Sequence, residues 1–265
     1  MLPAGPAPGR TEKAGDPYPW EQRVASARQF GKARAGSVSF AIVGERGNLR
    51  GYKPERRFHS ASVVKVMLMV SYLRRRGVRH RRLDDGERAL LEPMIRRSDN
   101  AAATAIYNIV GNRGLRRLAR AAKMRDFHPH AVWGASVITA ADQAPFMFRL
   151  RRYIPRRHRH YAFRQLSNIV SYQRWGIPRA GPRGWRVFFK GGFVPSAGGW
   201  RIHQVALLRR GERRLGLAVL SEGNPSLAYG AKTVQGVTAH LLRRYNALTG
   251  RSRSRIAARR DPGTG

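Results

Sequence analysis

The order of the apolar segments most constrains what this chain can fold into. Their periodicity and the turn residues between them predict a helix, a strand, a block of helices, three strands and a final helix. Because a lone strand cannot bury its apolar face, the early strand and the three late strands must share one sheet. The helical block is then an insertion that forms a second lobe, and clefts between lobes are common sites for small molecules.

Capping and turn residues set approximate bounds for these segments. Thr139 is expected to cap a helix, and Gly77 and Gly111 are expected to end two others. A turn is expected at 45–48. Helices are predicted at 20–34, 62–76, 87–97, 100–110, 115–123, 139–151 and 228–248, and strands at 37–43, 185–189, 202–208 and 214–220.

One ordered domain is expected between two irregular ends. Residues 1–19 are rich in Pro, Gly and Ala and predict a flexible segment, without the apolar centre of an export signal. Residues 20–249 form the domain, with the helical lobe at about 60–180, and residues 250–265 form a basic tail predicted to be disordered. An export signal would have to precede Met1, so the compartment stays open, with an exported or cell-envelope location among the candidates.

The chain is strongly basic. It has 52 Lys and Arg residues against 15 Asp and Glu residues, which gives a net charge of +37. Such a charge is typical of proteins that bind phosphates. The arginines are, however, spread along the whole sequence, and a bias in codon composition would produce the same excess. Non-specific binding to polyanions and a nucleic-acid-associated role therefore remain alternatives.

Several classes of protein are excluded by composition. A hydrophobic share of 42% is enough for a core and excludes a wholly disordered chain. The absence of Cys excludes disulfides and thiolate sites. The most apolar stretch is interrupted by Lys65 and Tyr72, short of the roughly 18–20 residues that a membrane span needs. The pairs His128/His130 and His158/His160 are interpreted as surface histidines, so neither a metal site nor a cofactor is predicted.

Three short motifs follow one another along the chain. Ser62-Val63-Val64-Lys65 is an S-x-x-K that opens an apolar helix, Ser98-Asp99-Asn100 lies between two helices, and Lys190-Gly191-Gly192 is expected to end a strand. Each motif alone has a structural explanation: a helix start, a lysine that reaches solvent, a helix cap. Their joint occurrence in this order favours a catalytic site.

The chemistry explains these residue types and spacings. Ser62 and Lys65 are three residues apart and share a helix face, so Lys65 can take the hydroxyl proton if it is neutral. Burial in an apolar helix disfavours the ammonium form, and a second cation at Lys190 would act in the same direction. Backbone N–H groups at the helix start can stabilise an oxyanion. Gly191 and Gly192 would let a substrate backbone lie along the strand.

The motifs resemble those of the class A β-lactamase and penicillin-binding-protein superfamily of active-site serine hydrolases. The resemblance spans about residues 20–248 and is carried by FHSASVVKVMLMVSYL, LLEPMIRRSDNAAATAIYNIVG and VFFKGGF. It implies an α/β fold in which an antiparallel sheet is flanked by the N- and C-terminal helices and carries an inserted all-helical lobe.

The resemblance also implies roles for individual residues. Catalysis would use Ser62 as the acylated nucleophile, Lys65 as its general base, Ser98 as a proton relay to the leaving nitrogen and Lys190 as a positive charge for the substrate carboxylate. Substrate binding would use Asn100 for the side-chain amide, and Gly192 and Phe193 along the strand, with the N–H groups of Ser62 and Phe193 as the oxyanion hole.

Three departures from the family pattern bear on activity. The Glu that activates the deacylating water is absent, since Asp126 and Asp142 are the only acids between Asn100 and Lys190. Asp126 is a shorter candidate substitute, and Asp142 fits a surface helix position. Gly191 stands where the family has Thr, and Arg201 on the following strand is expected to compensate in part. The short segment from Ser62 to Ser98 implies a more open site.

We therefore expect a serine hydrolase that forms an acyl-enzyme at Ser62 on a β-lactam or D-peptide-like amide and deacylates weakly. The alternatives are a catalytically weakened protein that binds a cell-wall ligand and the basic nucleic-acid-associated protein. Trp175, Trp185 and Trp200 are candidates for the cleft wall, with core packing as the alternative. The oligomeric state is left open.

Overall fold

A five-stranded antiparallel sheet forms the centre of the fold. The computed structural model describes residues 18–249. The strands are β1 (Ser37–Val43), β2 (Leu49–Tyr52), β3 (Phe58–His59), β4 (Val137–Ile138), β5 (Arg186–Ser196), β6 (Gly199–Arg210) and β7 (Arg213–Asn224). The main sheet has the order β2-β1-β7-β6-β5, and β3 and β4 form a separate two-stranded pair.

Helices supply the rest of the regular structure. Their bounds are α1 (Trp20–Lys32), α2 (Lys65–Leu73), α3 (Asp85–Arg96), α4 (Asn100–Ala121), α5 (Ala140–Phe148), α6 (Leu150–Tyr153), α7 (Arg159–Ser167), α8 (Ile177–Ala180) and α9 (Leu227–Leu242), with a short 3-10 helix, Ala61–Val64, leading into α2. No helix within residues 18–249 is long and apolar enough to cross a bilayer.

The early strand pairs with the late strands, as predicted. β1 runs antiparallel to β7, with Phe40 opposite Val219. Six of its seven residues are buried, because α1 and α9 cover one face of the sheet and α5 covers the other. The sheet therefore has an apolar layer on each side.

The first and last helices pack directly on each other. Gly236 on α9 faces Phe30 on α1, and an added Cβ there would lie 2.2 Å from the Phe30 ring. The close approach is possible because glycine has no side chain. The two helices thus flank the sheet together, which confirms the fold class expected from the sequence.

The inserted helices form their own core. α2 packs against α3 and α4, and α3 also contacts α7. All nine residues of α2 are buried, which explains why this helix is apolar around its whole circumference. A capping box between Asp84 and Glu87 begins α3.

The pairing of β1 with β2 was not predicted. The turn at 45–48 is confirmed, and it returns the chain as β2, with Ala41 opposite Gly51. The segment Leu49–Tyr52 is short, with three half-buried residues and one exposed residue. Its strand conformation depends on the hydrogen-bonded ladder with β1, because the segment itself has no alternating pattern of apolar and polar residues.

Several predicted boundaries were wrong. Gly111 is not helical, with φ 59° and ψ 176°, and it divides α4 at a kink, so the predicted break at this glycine is confirmed; the second segment ends at Ala121 and not at 123. α9 ends at Leu242, because a turn at 243–244, where Arg244 has φ 57°, interrupts the helix; residues 245–249 are helical again. The Lys190-Gly191-Gly192 motif lies in the middle of β5, because both glycines continue the ladder with β6.

A second, small unit contains Tyr18 and Pro19 together with residues 244–249 in the described part of the chain. Within it the rings of Tyr18 and Tyr245 meet edge to face, with centroids 4.6 Å apart. The predictions of a flexible start and a basic tail fall almost entirely on residues 1–17 and 250–265, which lie outside the described residues.

Candidate active site

Ser62 lies in the 3-10 helix that precedes α2. The residue before it, Ala61, has a φ of 45°, an uncommon left-handed conformation for a residue with a side chain. Ser60 fixes this turn, since its N–H donates to the Ser136 carbonyl at 2.8 Å and its hydroxyl donates to the Gly134 carbonyl at 3.2 Å. Ser62 is held half-buried at the end of an ordered turn.

Lys65 is the first residue of α2 and is fully buried. Its Nζ lies within hydrogen-bond distance of Ser98 O (2.5 Å), Ser98 Oγ (3.2 Å), Asp99 O (3.1 Å) and Asn100 Oδ1 (2.8 Å). Burial lowers the pKa of Lys65 to about 7, with the nearby charge of Asp99 opposing that shift. The amine is therefore close to half neutral at pH 7.

The first two motifs thus meet at Lys65. No hydrogen bond joins the Ser62 hydroxyl to Lys65 within residues 18–249; the lysine is held by the Ser98-Asp99-Asn100 segment instead. Ser62 and Lys65 are nevertheless three residues apart across a 3-10 turn, in which such residues lie one above the other. The Lys65 N–H caps that turn by donating to the Ser62 carbonyl.

The Ser98-Asp99-Asn100 segment is held by its own backbone. Ser98 has a φ of 62°, which turns the chain between α3 and α4. Asp99 is the N-cap of α4, and its carboxylate accepts the Ala102 N–H at 2.8 Å. The Asp99 carboxylate thus acts as a helix cap. The backbone carbonyl of Asp99 faces Lys65, as do the neighbouring residues Ser98 and Asn100.

Trp133 is a site residue that sequence reasoning missed. Its ring faces Lys65, with Nζ 4.8 Å from the ring centroid. Its indole N–H donates to Thr104 Oγ1 at 3.1 Å, which fixes the ring against α4. Trp133 was not among the three tryptophans considered as cleft-wall residues. Nothing in its local sequence indicates a site residue, because only the fold brings it into contact with Lys65.

Those three tryptophans have different positions. Trp175 is half-buried and packs against Phe193, with ring centroids 6.3 Å apart, so it lies beside the motif on β5. Trp185 is buried, under the guanidinium of Arg213. Trp200 is half-buried at the start of β6.

Lys190 is fully buried in the middle of β5. Burial holds its pKa well below the usual value, and the positive charge of Lys65 acts in the same direction. Its Nζ donates to the Gly191 carbonyl at 2.8 Å. Lys190 is therefore close enough to Lys65 for the charge of Lys65 to disfavour charge on Lys190.

Gly192 brings β5 against the 3-10 helix. An added Cβ at this position would lie 2.8 Å from Ser62 N and 3.1 Å from Val63 N. At Gly191 an added Cβ would instead lie 3.5 Å from the Trp175 ring, an ordinary contact. The second glycine is thus required by the close approach to Ser62, and the first is not.

His203, opposite Gly192 on β6, ties the sheet to the segment before Ser62. Its Nδ1 accepts the Ser221 N–H at 3.1 Å, so Nε2 carries the proton and donates to the His59 carbonyl at 3.0 Å. Burial lowers the pKa of His203 to about 3, which keeps the ring neutral. This histidine was not predicted, and its role is to position the chain.

Arg201 lies on the same strand, opposite Val194 and two pairs beyond Gly192 and His203. Alternate residues of a strand share a face, so Arg201 lies on the His203 side, which is turned toward Ser62. Its Nε is buried and has no hydrogen-bond partner within residues 18–249. An unpaired guanidinium nitrogen at this place can bind an anionic group.

The two acids between Asn100 and Lys190 lie away from Lys65. Asp126 accepts from Arg57, with Nη2 at 2.9 Å. The expectation that Asp142 lies on the surface was wrong: it is buried and accepts the Arg125 and Asp126 N–H groups, each at 2.9 Å. Asp142 is therefore part of the framework that fixes this loop.

The four histidines of the two H-x-H pairs differ in burial. Within residues 18–249 no cluster of three or more His, Asp or Glu residues has the arrangement of a metal centre. His128, His130 and His160 are exposed. The surface interpretation was wrong for His158, which is buried with its Nε2 3.0 Å from the Val78 carbonyl.

Comparison with known structures shows the same fold in bacterial β-lactamases. A β-lactamase from Sphaerobacter thermophilus superposes with a TM-score of 0.71 at 20% identity, over 85% of this chain and 97% of that one. A class A β-lactamase from Mycobacterium abscessus gives 0.68 at 19% identity, over 84% and 99%. A β-lactamase from Chitinophaga pinensis gives a TM-score of 0.71 at 12% identity, over 82% of this chain and 97% of that one.

Comparison of the sequence with protein families identifies one match. Residues 81–245 match the beta-lactamase enzyme family. A search of curated protein sequences gives no match. The matched region contains the Ser98-Asp99-Asn100 motif and Lys190 and begins after Ser62 and Lys65. Because the matched region covers more than half of the chain, the protein belongs to the beta-lactamase enzyme family, and it shares its fold with the solved β-lactamases.

Proposed function

We propose that the protein is a serine hydrolase that forms an acyl-enzyme at Ser62 on a β-lactam or D-peptide-like amide. The observation that carries the proposal is the environment of Lys65. A buried lysine whose pKa is lowered to about 7 lies one turn from Ser62 and contacts Ser98 and Asn100. A base with a pKa near neutral pH is what activation of a serine hydroxyl requires.

The acylation step follows from these contacts. Ser62 Oγ attacks the amide carbonyl carbon while its proton passes to the neutral Lys65 Nζ. When the C–N bond breaks, a proton passes from Lys65 through Ser98 Oγ, which is 3.2 Å away, to the leaving nitrogen. The carbon is left as an ester on Ser62, and both protein groups regain their starting protonation states.

Backbone groups beside Ser62 would stabilise the oxyanion. The Ser62 N–H donates to no acceptor within residues 18–249 and is free for a substrate oxygen. The second N–H would come from Phe193, the residue after Gly192 on β5. Two such donors aimed at the developing charge are the common form of an oxyanion hole.

Two further contacts would orient the substrate. Asn100 Oδ1 is taken by Lys65, which leaves the Asn100 NH₂ group for a carbonyl oxygen of the substrate. Arg201, with its unpaired Nε, is a stronger candidate than Lys190 for the substrate carboxylate. Burial disfavours charge on Lys190, whereas a guanidinium stays charged.

We propose weak deacylation because no carboxylate from the segment between Asn100 and Lys190 contacts Lys65. Asp126 is engaged with Arg57, and Asp142 with backbone N–H groups. The aromatic face of Trp133 occupies one side of Lys65 and offers no base for a water molecule. Lys65 would have to serve in both steps.

The rate of acylation should depend on the protonation of Lys65. Because the neutral amine is the base and its pKa is about 7, the rate should rise as the pH rises through 7 and level off above about 8. Below pH 7 it should fall about tenfold per pH unit, since the neutral fraction falls in that proportion. Single-turnover labelling with a fluorescent penicillin between pH 5.5 and 9 measures this profile, and a flat profile would contradict the assignment.

The close approach of β5 to Ser62 gives a second prediction. Gly192→Ala should slow acylation about 10²-fold, because the new Cβ displaces Ser62 or the strand and misplacement on the order of 1 Å has such a cost. Gly191→Ala is the matched control and should leave the rate little changed, since its Cβ makes only an ordinary contact with Trp175. Equal rates for the two variants would show that the Gly192 contact does not position Ser62.

A further inference from the structure

An arginine-rich groove lies at the end of α2 opposite the candidate active site. It is a concavity of about 270 Å³ between the end of α2 and the middle of α4, lined by Ser71, Arg74, Arg75, Arg76, Arg79, Gly114, Arg117 and Leu118. A second concavity of about 700 Å³ shares Arg79 and is lined also by His80, Pro155, Arg156 and Arg157. We call the two together the basic groove.

The charges of the basic groove are not neutralised by the protein. No carboxylate lines either concavity. Arg76, Arg79 and Arg117 are exposed and make no ion pair within residues 18–249. By contrast, the nearby Arg81 is paired with Glu87 at 2.7 Å. Like charges held together without a counter-ion attract anions from solution.

Other groups in the basic groove support an anion ligand. The side chain of Arg74 donates to the Tyr153 carbonyl at 3.1 Å, which fixes one wall. Ser71 is buried, and its hydroxyl has no hydrogen-bond partner within residues 18–249. Hydroxyl and guanidinium donors together suit phosphate oxygens.

The shape of the basic groove and the residues that line it indicate which kind of anion it binds. Two adjacent concavities that share one arginine can hold successive phosphates of one chain. None of the lining residues is a Trp, Tyr or Phe and the one ring is that of His80, so the groove has no row of aromatic side chains on which successive bases could stack. We infer that the basic groove binds a linear phosphodiester polymer through its phosphates alone.

The location leaves the active site accessible. Lys65 begins α2 and Arg74 follows its last residue, so the two ends are about 12 Å apart along the helix axis. A polymer in the basic groove would therefore hold the protein on an anionic surface without covering Ser62. The inference does not rest on the proposed enzymatic activity.

The test is fluorescence anisotropy with a labelled 12-residue oligothymidylate and an abasic 12-mer of the same backbone. The groove variant is Arg76→Glu/Arg79→Glu/Arg117→Glu, and the control is Arg28→Glu/Arg179→Glu/Arg210→Glu, which changes three exposed arginines elsewhere by the same charge. Circular dichroism melting establishes that both variants are folded, and Arg→Gln versions replace any that are not.

The groove variant should lose at least about tenfold in affinity at 100 mM salt, and its salt dependence should flatten by about one unit of slope per lost contact. The control should lose much less. The two 12-mers should bind alike. Equal losses in the two variants would show that net charge alone is responsible, and a tenfold preference for the oligothymidylate would show base recognition; either result overturns the proposal.

Discussion

Replacing Ser62 by alanine is expected to abolish covalent labelling of the protein by a fluorescent penicillin. The ester can form only on an activated hydroxyl, and Ser62 is the hydroxyl that lies one turn from the neutralised Lys65 and against Gly192. Labelling is measured on denaturing gels, where only a covalent adduct survives. Labelling that persists in Ser62→Ala would identify another nucleophile.

Two further variants test whether labelling depends specifically on Ser62 and its base. Ser71→Ala removes a hydroxyl from α2, the helix that follows Ser62; this hydroxyl has no hydrogen-bond partner within residues 18–249, and labelling should be unaffected. Lys65→Ala keeps the nucleophile and removes its base, so labelling should slow by about 10²–10⁴-fold. Full-speed labelling in Lys65→Ala would remove Lys65 from the mechanism.

Turnover of a chromogenic cephalosporin is expected to show a burst of one equivalent followed by slow release. Acylation has Ser62 as its nucleophile, Lys65 as its base and Ser98 as its proton relay. Deacylation, in contrast, has no dedicated base for the attacking water. Loss of such a base should raise the barrier of deacylation by roughly 3–5 kcal/mol, since general-base catalysis contributes about 10²–10⁴-fold. Stopped-flow absorbance resolves both phases.

Variants at Trp133 and Asp126 separate the explanations. Trp133→Glu places a carboxylate beside Lys65 and should turn over faster than the matched Trp133→Gln, which has the same shape without the charge. Fast steady turnover of the unaltered protein without a burst would contradict the account. If an Asp126→Asn variant then restored the burst, Asp126 would be the group that replaces the missing Glu.

The main sheet was predictable because its strands bury apolar side chains in continuous runs. Ser37–Val43 was predicted with its observed bounds. The three late strands were also found, but β6 and β7 were predicted too short at both ends and β5 too short at its C-terminal end. The ends of these strands are polar or glycine-rich, so the apolar pattern does not predict them. They are strand residues only because they pair with a neighbouring strand. Leu49–Tyr52 was missed for the same reason, as its strand state comes from its neighbour.

The candidate site was predictable where its chemistry lies in local motifs. The meeting of Lys65 with Ser98 and Asn100 follows from motif order, and the structure brings these residues together. Trp133 and His203 could not be found, because each contacts the site through residues distant in sequence. The burial of Asp142 was hidden likewise, since its partners are backbone N–H groups of another loop.

Intact-protein mass spectrometry after incubation with benzylpenicillin detects an acyl-enzyme without any chromogenic label. The mass should increase by that of one penicillin molecule, because opening of the β-lactam ring leaves both halves of the amide attached to the enzyme. Peptide mapping should place the adduct on Ser62. An unchanged mass after prolonged incubation, without hydrolysis of the antibiotic, or an adduct on any other residue, would contradict the account.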